Sequence, residues 1–222
     1  MFDGRFTLSG ARLCALPSGA LWWEEEGLLA VGDLHLGKSE RLARQGGSLL
    51  PPYETAHTLE RLEQAVAETT PRRLVLLGDS FDDDAATDAL PEDALDRINR
   101  LAAGRELIWI AGNHDPGHLD LPGANLSIYH RGPLLFRHIA RPGAEGEVSA
   151  HYHPKARLVL RGQGISRPCF LMDRTRVILP AFGTYTGGLD INNAAFEGLM
   201  GDGAMALLTG RRITALPYPV PA

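Results

Sequence analysis

The sequence predicts an α/β sandwich of two β-sheets flanked by α-helices, and three observations carry that reading. Three segments share one pattern, a short apolar run closed by a glycine and followed by ligand-type polar residues: Leu28 to Asp33 (LLAVGD), Leu74 to Asp79 (LVLLGD) and Leu107 to Asn113 (LIWIAGN). Helical periodicity fills the intervals between them. After residue 120 the pattern changes to short apolar segments separated by Gly, Pro and Asp turns, with no helical period.

Taken in chain order, Phe6 to Trp23 reads as a hairpin that could join either sheet. The three glycine-closed runs read as buried strands of a parallel sheet covered on both faces, because nothing polar interrupts them. Pro52 to Thr69 carries Leu59, Leu62 and Val66 at helical spacing. Pro91 to Gly104 carries Leu95, Ile98 and Leu101, with Pro91 near its start, Glu92 and Asp93 in its first turn and Gly104 as a stop. Strand, helix, strand is a right-handed crossover, and two in succession set three strand ends side by side. Ligands of such sheets bind at those carboxyl ends. Leu134 to Ile139, Glu147 to His151, Arg157 to Arg161, Cys169 to Asp173 and Arg176 to Leu179 then read as a second, mainly antiparallel sheet.

A chain of 222 residues suffices for one large domain or two small ones. No repeat, low-complexity tract or linker divides it, so a single domain over 1–222 is expected. The 44% hydrophobic and 22% charged content excludes a disordered or fibrous chain. No apolar run approaches the ~20 residues of a membrane helix, and the start MFDGRFTLSG lacks the basic and apolar regions of a signal peptide. The expectation is a cytoplasmic protein without a membrane partner. Cys14 and Cys169 form no metal-type pair, which fits a reducing compartment and argues against a disulfide framework.

The net charge of −5 speaks by itself against a nucleic-acid partner. Two bound divalent cations would bring the formal sum to about −1. Of the 22 basic residues only Lys38 and Lys155 are Lys, and the rest are Arg, the side chain suited to bidentate phosphate contacts. Genome composition would produce the same bias.

The predicted strand ends offer Asp33 and His35 (GDLH), Asp79 (GDSFDD), and Asn113, His114 and Asp115 (GNHD); His138 (FRH) and the pair His151 and His153 (AHYHP) follow. Carboxylate, imidazole and amide oxygen make a mixed hard and borderline donor set that suits Mn, Fe or Zn and excludes a soft thiolate site. Each piece alone has a plainer reading. A lone Asp-x-His is more often a loop or helix cap, and His35 could be a satisfied core histidine. Asn113 and Asp115 could make Asx turns, and Asp82 to Asp84 could start a solvated helix. On a strand, His151 and His153 would point to one face. What sets the combination apart is that these motifs gather at one predicted edge in a chain with only 8 His.

The ordered set GDLH, GDSFDD, GNHD, a lone His and HYH resembles the calcineurin-like metallophosphoesterases. LHLGK at Leu34 to Lys38, LLPPYET at Leu49 to Thr55, WIAGNHDP, HYHPKAR and LPAFGTYTGGLD at Leu179 to Asp190 extend the resemblance to the ligase-associated DNA damage response endonucleases of the PdeM type. That resemblance implies the calcineurin-like sandwich and a phosphodiesterase acting on DNA in repair. It further implies functional association with an ATP-dependent DNA ligase and a helicase. It implies two divalent transition-metal ions, most simply Mn2+, with Fe or Zn as alternatives. Asp33, His35, Asp79 and His153 would hold one ion and Asp79, Asn113, His138 and His151 the other. A hydroxide between the ions would attack phosphorus, His114 would protonate the leaving alkoxide, and Asp115 would orient that imidazole. The same chemistry on small diesters such as cyclic nucleotides is an alternative, as is a non-catalytic scaffold of this fold. The sequence departs from the pattern at Gly37, where Glu is expected, at Ala150, where Gly is expected, and at Asp82, where His is expected. If residue 82 touches substrate, its carboxylate would repel phosphate.

Overall fold

Apolar runs without polar interruptions need cover on both faces, and two stacked sheets provide it. The computed structural model describes residues 2–47, 50–115, 121–160 and 162–219. Leu49 of LLPPYET, Pro116 of WIAGNHDP and Arg161 at the end of the 157–161 segment lie outside the described residues.

The first sheet is ordered β1 (Arg5–Leu8), β2 (Ala11–Ala15), β3 (Leu21–Trp23), β4 (Leu28–Val31), β5 (Arg73–Leu77), β6 (Glu106–Ile110) and β7 (Ala124–Leu126). Strands β4 to β7 run parallel, as the crossover pattern requires. The opening stretch joins this sheet, as three antiparallel strands rather than one hairpin. Among the described residues, four helices cover it: α1 (Lys38–Arg44), α2 (Glu54–Thr69), α3 (Asp84–Asp88) and α4 (Glu92–Ala102). Helices α2 and α4 match the two periodic segments, whereas α1 and α3 are too short to show a period. The solvated-helix reading of the acidic run holds for Asp83, which caps α3 by accepting from Ala86 N at 2.8 Å.

The second sheet comprises β8 (Tyr129–Arg131), β9 (Leu134–Phe136), β10 (Glu147–Ser149), β11 (Lys155–Leu160), β12 (Gln163–Met172), β13 (Arg176–Ile178), β14 (Met205–Leu208) and β15 (Thr214–Pro217). Its spatial order is β15-β14-β12-β13-β10-β9-β8, with β11 paired to β12. Most pairings are antiparallel, but the sheet is mixed: β9, β10 and β13 run parallel. The mainly antiparallel reading holds, and the parallel minority has a purpose. Parallel neighbours deliver the residues after β9 and β10 to the same edge. The expectation needs correcting at β7, which lies beyond residue 120 and still extends the first sheet.

Alternation sorts each strand between compartments. Val75 and Leu77 face the space between the sheets with Ile108, Ile110, Phe136, Val148, Phe170 and Val177. Leu74 and Leu76 face outward against Leu59 and Leu62 of α2 and Ile98 and Leu101 of α4. Behind the second sheet, Leu171, Ile178 and Leu208 pack on Ile191, Phe196 and Leu199 from the chain after β13. No helix among the described residues is long and apolar enough to cross a membrane.

Phe170 is fully buried between the sheets. Phe170→Ala should lower the unfolding free energy by ~3–5 kcal/mol, the transfer and cavity cost of a buried phenyl ring, as read from urea denaturation.

Candidate metal centre

The polar residues that follow β4, β5 and β6 through Gly32, Gly78 and Gly112 come together, and the second sheet brings His138 after β9 and His151 and His153 after β10 to the same place. Backbone hydrogen bonds lash the turns together: Asp33 N donates to Gly78 O, His35 N to Asp79 O, and Ala150 N to His138 O. Asp33 links the two sheets directly, its carboxylate accepting from His151 N at 3.1 Å and 3.2 Å. Gly78 has φ +80°, and a Cβ there would collide with the His138 ring, so only glycine admits this approach.

Among the described residues two groups of ligand atoms result, each within 4.8 Å of one another: Asp33, His35 and His153, and Asp79, His138 and His151. His151 and His153 are therefore not on one face of a strand. Both lie in a turn with left-handed backbone, at φ 71° and 47°, and this sends one ring to each group. Asp33, His35 and Asp79 share the left-handed region, at φ 50°, 45° and 48°. Such a conformation costs ~1–3 kcal/mol per non-glycine residue and clusters where function over-determines geometry.

Each imidazole is aimed by its other nitrogen. His138 Nδ1 lies 2.7 Å from Leu77 O, which assigns the proton to Nδ1 in the neutral ring. Nε2 then points a lone pair at Asn113 Oδ1 (3.0 Å), His151 Nδ1 (3.1 Å) and Asp79 Oδ2 (3.3 Å). Lone pairs gathered this closely repel unless a cation sits among them. Without metal the cation is a proton: burial pushes the His138 pKa down, but Asp79 and Asp33 more than offset this and raise it. Burial likewise opposes ionisation of Asp79, yet the hydrogen bond and charge of His138 hold its pKa at about 2. His151 is lowered by burial and by the neighbouring His138, which keeps its ring neutral, as a ligand must be.

In the first group, His35 Nδ1 lies 2.7 Å from Asp82 Oδ1, leaving Nε2 turned inward. His35 Nε2 and His153 Nε2 are both buried without a hydrogen-bond partner, and His153 Nε2 stands 3.3 Å from Asp33 Oδ1. Buried polar nitrogens are seldom left unpaired. Two of them beside a buried carboxylate fit a divalent cation, so the donor set passes the chemical test for two metals.

The structure corrects the expectation for Asp82. It does not face substrate: it is 1% exposed, and its carboxylate is shared by His35, Lys38 (3.4 Å) and Arg41. Burial opposes its ionisation, but the hydrogen bonds of His35 and Arg41 and the charge of Lys38 outweigh it and hold its pKa far below the usual carboxylate range. A buried carboxylate behind a histidine is the usual means of fixing a metal-binding tautomer. Lys38 and Arg41, one turn apart on α1, were not recognisable as site residues, because their role appears only once α1 docks over Asp82. The other departures are compatible with the fold. Gly37 caps α1 at φ 82°, a conformation that disfavours the expected Glu, and the Ala150 methyl packs against Gly32.

His114 is exposed; its backbone N donates to Asp79 Oδ1 at 2.9 Å, and its ring lies edge-on to His35 at 5.5 Å. Asp115 has a different task from the one expected. Its carboxylate accepts from Ser80 N (2.7 Å), Phe81 N (3.1 Å) and Gly112 N (2.9 Å), stitching the turn after β6 to the turn after β5. Through these bonds Asp115 fixes the backbone that leads into His114.

Residues 28–168 match the calcineurin-like phosphoesterase family. Among solved structures, the chain is similar to that of the nuclease MPE from Pseudomonas putida, with a TM-score of 0.74 and 29% identity over 97% of this chain and 100% of that one. It also matches YfcE, a phosphoesterase from E. coli, with a TM-score of 0.41 and 16% identity over 81% of this chain and 87% of that one. No curated protein matches it. Since the family match covers the strand ends and every ligand-type residue gathered at them, the chain belongs to the calcineurin-like phosphoesterase family and is a hydrolase of phosphoric ester bonds.

Proposed function

We propose that this chain is a binuclear metal-dependent phosphodiesterase that cuts DNA as an endonuclease in DNA repair. The observation that carries the reading is the pair of adjoining ligand groups, with the unpartnered His35 Nε2 and His153 Nε2 in the first of them and the exposed His114 beside His35. The similarity to a nuclease over the full length of both chains favours a nucleic-acid diester over a small one.

Asp33, His35 and His153 would hold one divalent ion and Asn113, His138 and His151 the other, with the Asp79 carboxylate shared by both. Mn2+ is the ion we propose, and the same donors accept Fe or Zn. When bound, two such ions neutralise the phosphate and lower the pKa of a water toward neutrality. The chain's own residues do the rest. Asp82 keeps the His35 Nε2 lone pair inward, and Leu77 O does the same for His138. His114, anchored through its backbone to Asp79, gives a proton to the departing alkoxide.

Three measurements test this. Metal analysis of Mn-replete protein should find two equivalents per chain, and a chelator should abolish turnover. Finding no bound transition ion contradicts the reading. His114→Ala should retain both metals yet slow DNA cleavage by ~100- to 10,000-fold, with a far smaller loss on bis(4-nitrophenyl) phosphate, whose leaving group departs unprotonated. Equal losses would remove the acid role. Asp82→Asn should weaken binding of one metal by ~10- to 100-fold in a calorimetric titration; unchanged affinity would show that Asp82 only neutralises Lys38 and Arg41.

A further inference from the structure

Helix α1 carries Lys38 and Arg41 to Asp82, yet it has almost nothing apolar to hold it in place. It spans seven residues, Lys38–Arg44, and among them only Ser39 is buried. A helix of that length does not persist in water alone and takes its position from its surroundings. Here the surroundings act through polar contacts, and the worth of each depends on its burial.

At the far end of α1, Arg44 pairs with Asp83 at 2.9 Å, but both side chains reach solvent, where an ion pair contributes little. The contacts at the near end are buried. The carboxylate of Glu54, the first residue of α2, accepts from Ser39 N at 3.2 Å and from Ser39 Oγ. Thr55 Oγ1 donates to the same carboxylate at 3.2 Å and accepts from Gly37 N at 3.0 Å. Residues 37 to 39 are thereby fastened to the start of α2. Glu54 is 2% exposed, and its partners are two hydroxyls and one backbone amide, with no Lys or Arg of the described residues paired to it. Burying a carboxylate in this way costs stability, and a fold tolerates it where the geometry it fixes matters.

That geometry leads to the metal groups. The backbone after His35 is already bound to the turn after β5, with Leu36 N donating to Ser80 O at 3.0 Å and Asp82 N to Leu36 O at 3.1 Å. What α1 adds is the orientation of the Asp82 side chain. Lys38 holds Oδ1 and Arg41 holds Oδ2, so that Oδ1 meets His35 Nδ1.

We propose that Glu54 is a positioning residue of the first metal group. By holding Ser39 it seats α1, α1 seats Asp82, and Asp82 turns the His35 Nε2 lone pair toward the ion. Glu54 itself touches neither ion nor substrate. The inference rests on the binuclear reading above and extends the machinery of one ion to a second helix.

The test titrates metal-free wild type, Glu54→Gln, Glu54→Ala, Ser39→Ala, Asp82→Asn and the double variant Glu54→Gln/Asp82→Asn with Mn2+ by calorimetry, and records Tm for each metal-free protein. Glu54→Gln should weaken one of the two Mn2+ steps about tenfold and leave the other unchanged. Added to Asp82→Asn it should cost nothing further, because both substitutions act through His35. Ser39→Ala removes a donor and keeps the carboxylate; it should weaken the same step, and it serves if the Glu54 variants fail to fold. A merely structural role would lower Tm and weaken both steps alike, or add in full to Asp82→Asn. Either result overturns the proposal, as does unchanged binding in Glu54→Gln, Glu54→Ala and Ser39→Ala, while two intact wild-type steps leave the binuclear reading standing. A wild type that takes up no Mn2+ overturns that reading, and the role of Glu54 with it.

Discussion

Electron pairs crowded against one another are the constraint on which this molecule is built. Around His138 Nε2, an amide oxygen, a carboxylate oxygen and a second imidazole nitrogen lie within 3.3 Å. A cation set among them reconciles them, and every level of structure serves to hold them there. The parallel run of β4, β5 and β6 sets three turns abreast, and the parallel pairing of β9 with β10 sets two more against them. Backbone amides of Ser80, Phe81 and Gly112 are tied by Asp115, so that neighbouring turns move as one.

Hydrophobic burial supplies the force that keeps this arrangement closed. Val75, Leu77, Phe136, Val148 and Phe170 fill the space between the sheets directly beneath the strand ends. Removing a buried CH2 from water contributes ~0.8 kcal/mol, so a core of this size outweighs several strained backbone residues. Because the ligands come from both sheets, any sliding of one sheet on the other would separate Asp33 from His151, whose backbone bond spans the sandwich. Packing and chemistry share one register.

Much of this was readable in the sequence, for identifiable reasons. Glycine-closed apolar runs marked β4, β5 and β6, and long helical periods marked α2 and α4, because burial writes itself into spacing. The residues gathered at the site were found by their donor chemistry at those strand ends. Short elements were not legible: α1 has too few residues to show a period, and with it went Lys38 and Arg41. The role of Asp82 stayed open because spacing does not say which side chains are covered. The separation of His151 from His153 depends on two positive φ angles in a turn, where alternation along a strand no longer applies. Pairing partners in the second sheet escaped for a similar reason, since period-two patterns do not distinguish parallel from antiparallel neighbours.

Asp33, His35, Asp79, His151 and His153 all hold left-handed backbone. At each of them glycine would relax the chain and erase a ligand in the same stroke. At His35, His151 and His153 the exchange would trade a donor for backbone ease, whereas at Asp33 and Asp79 it would also remove the carboxylates that hold His151 N and His114 N. Sequences that keep acids and imidazoles there do so against the preference of their own main chain, which makes the backbone angle itself a record of selection for catalysis.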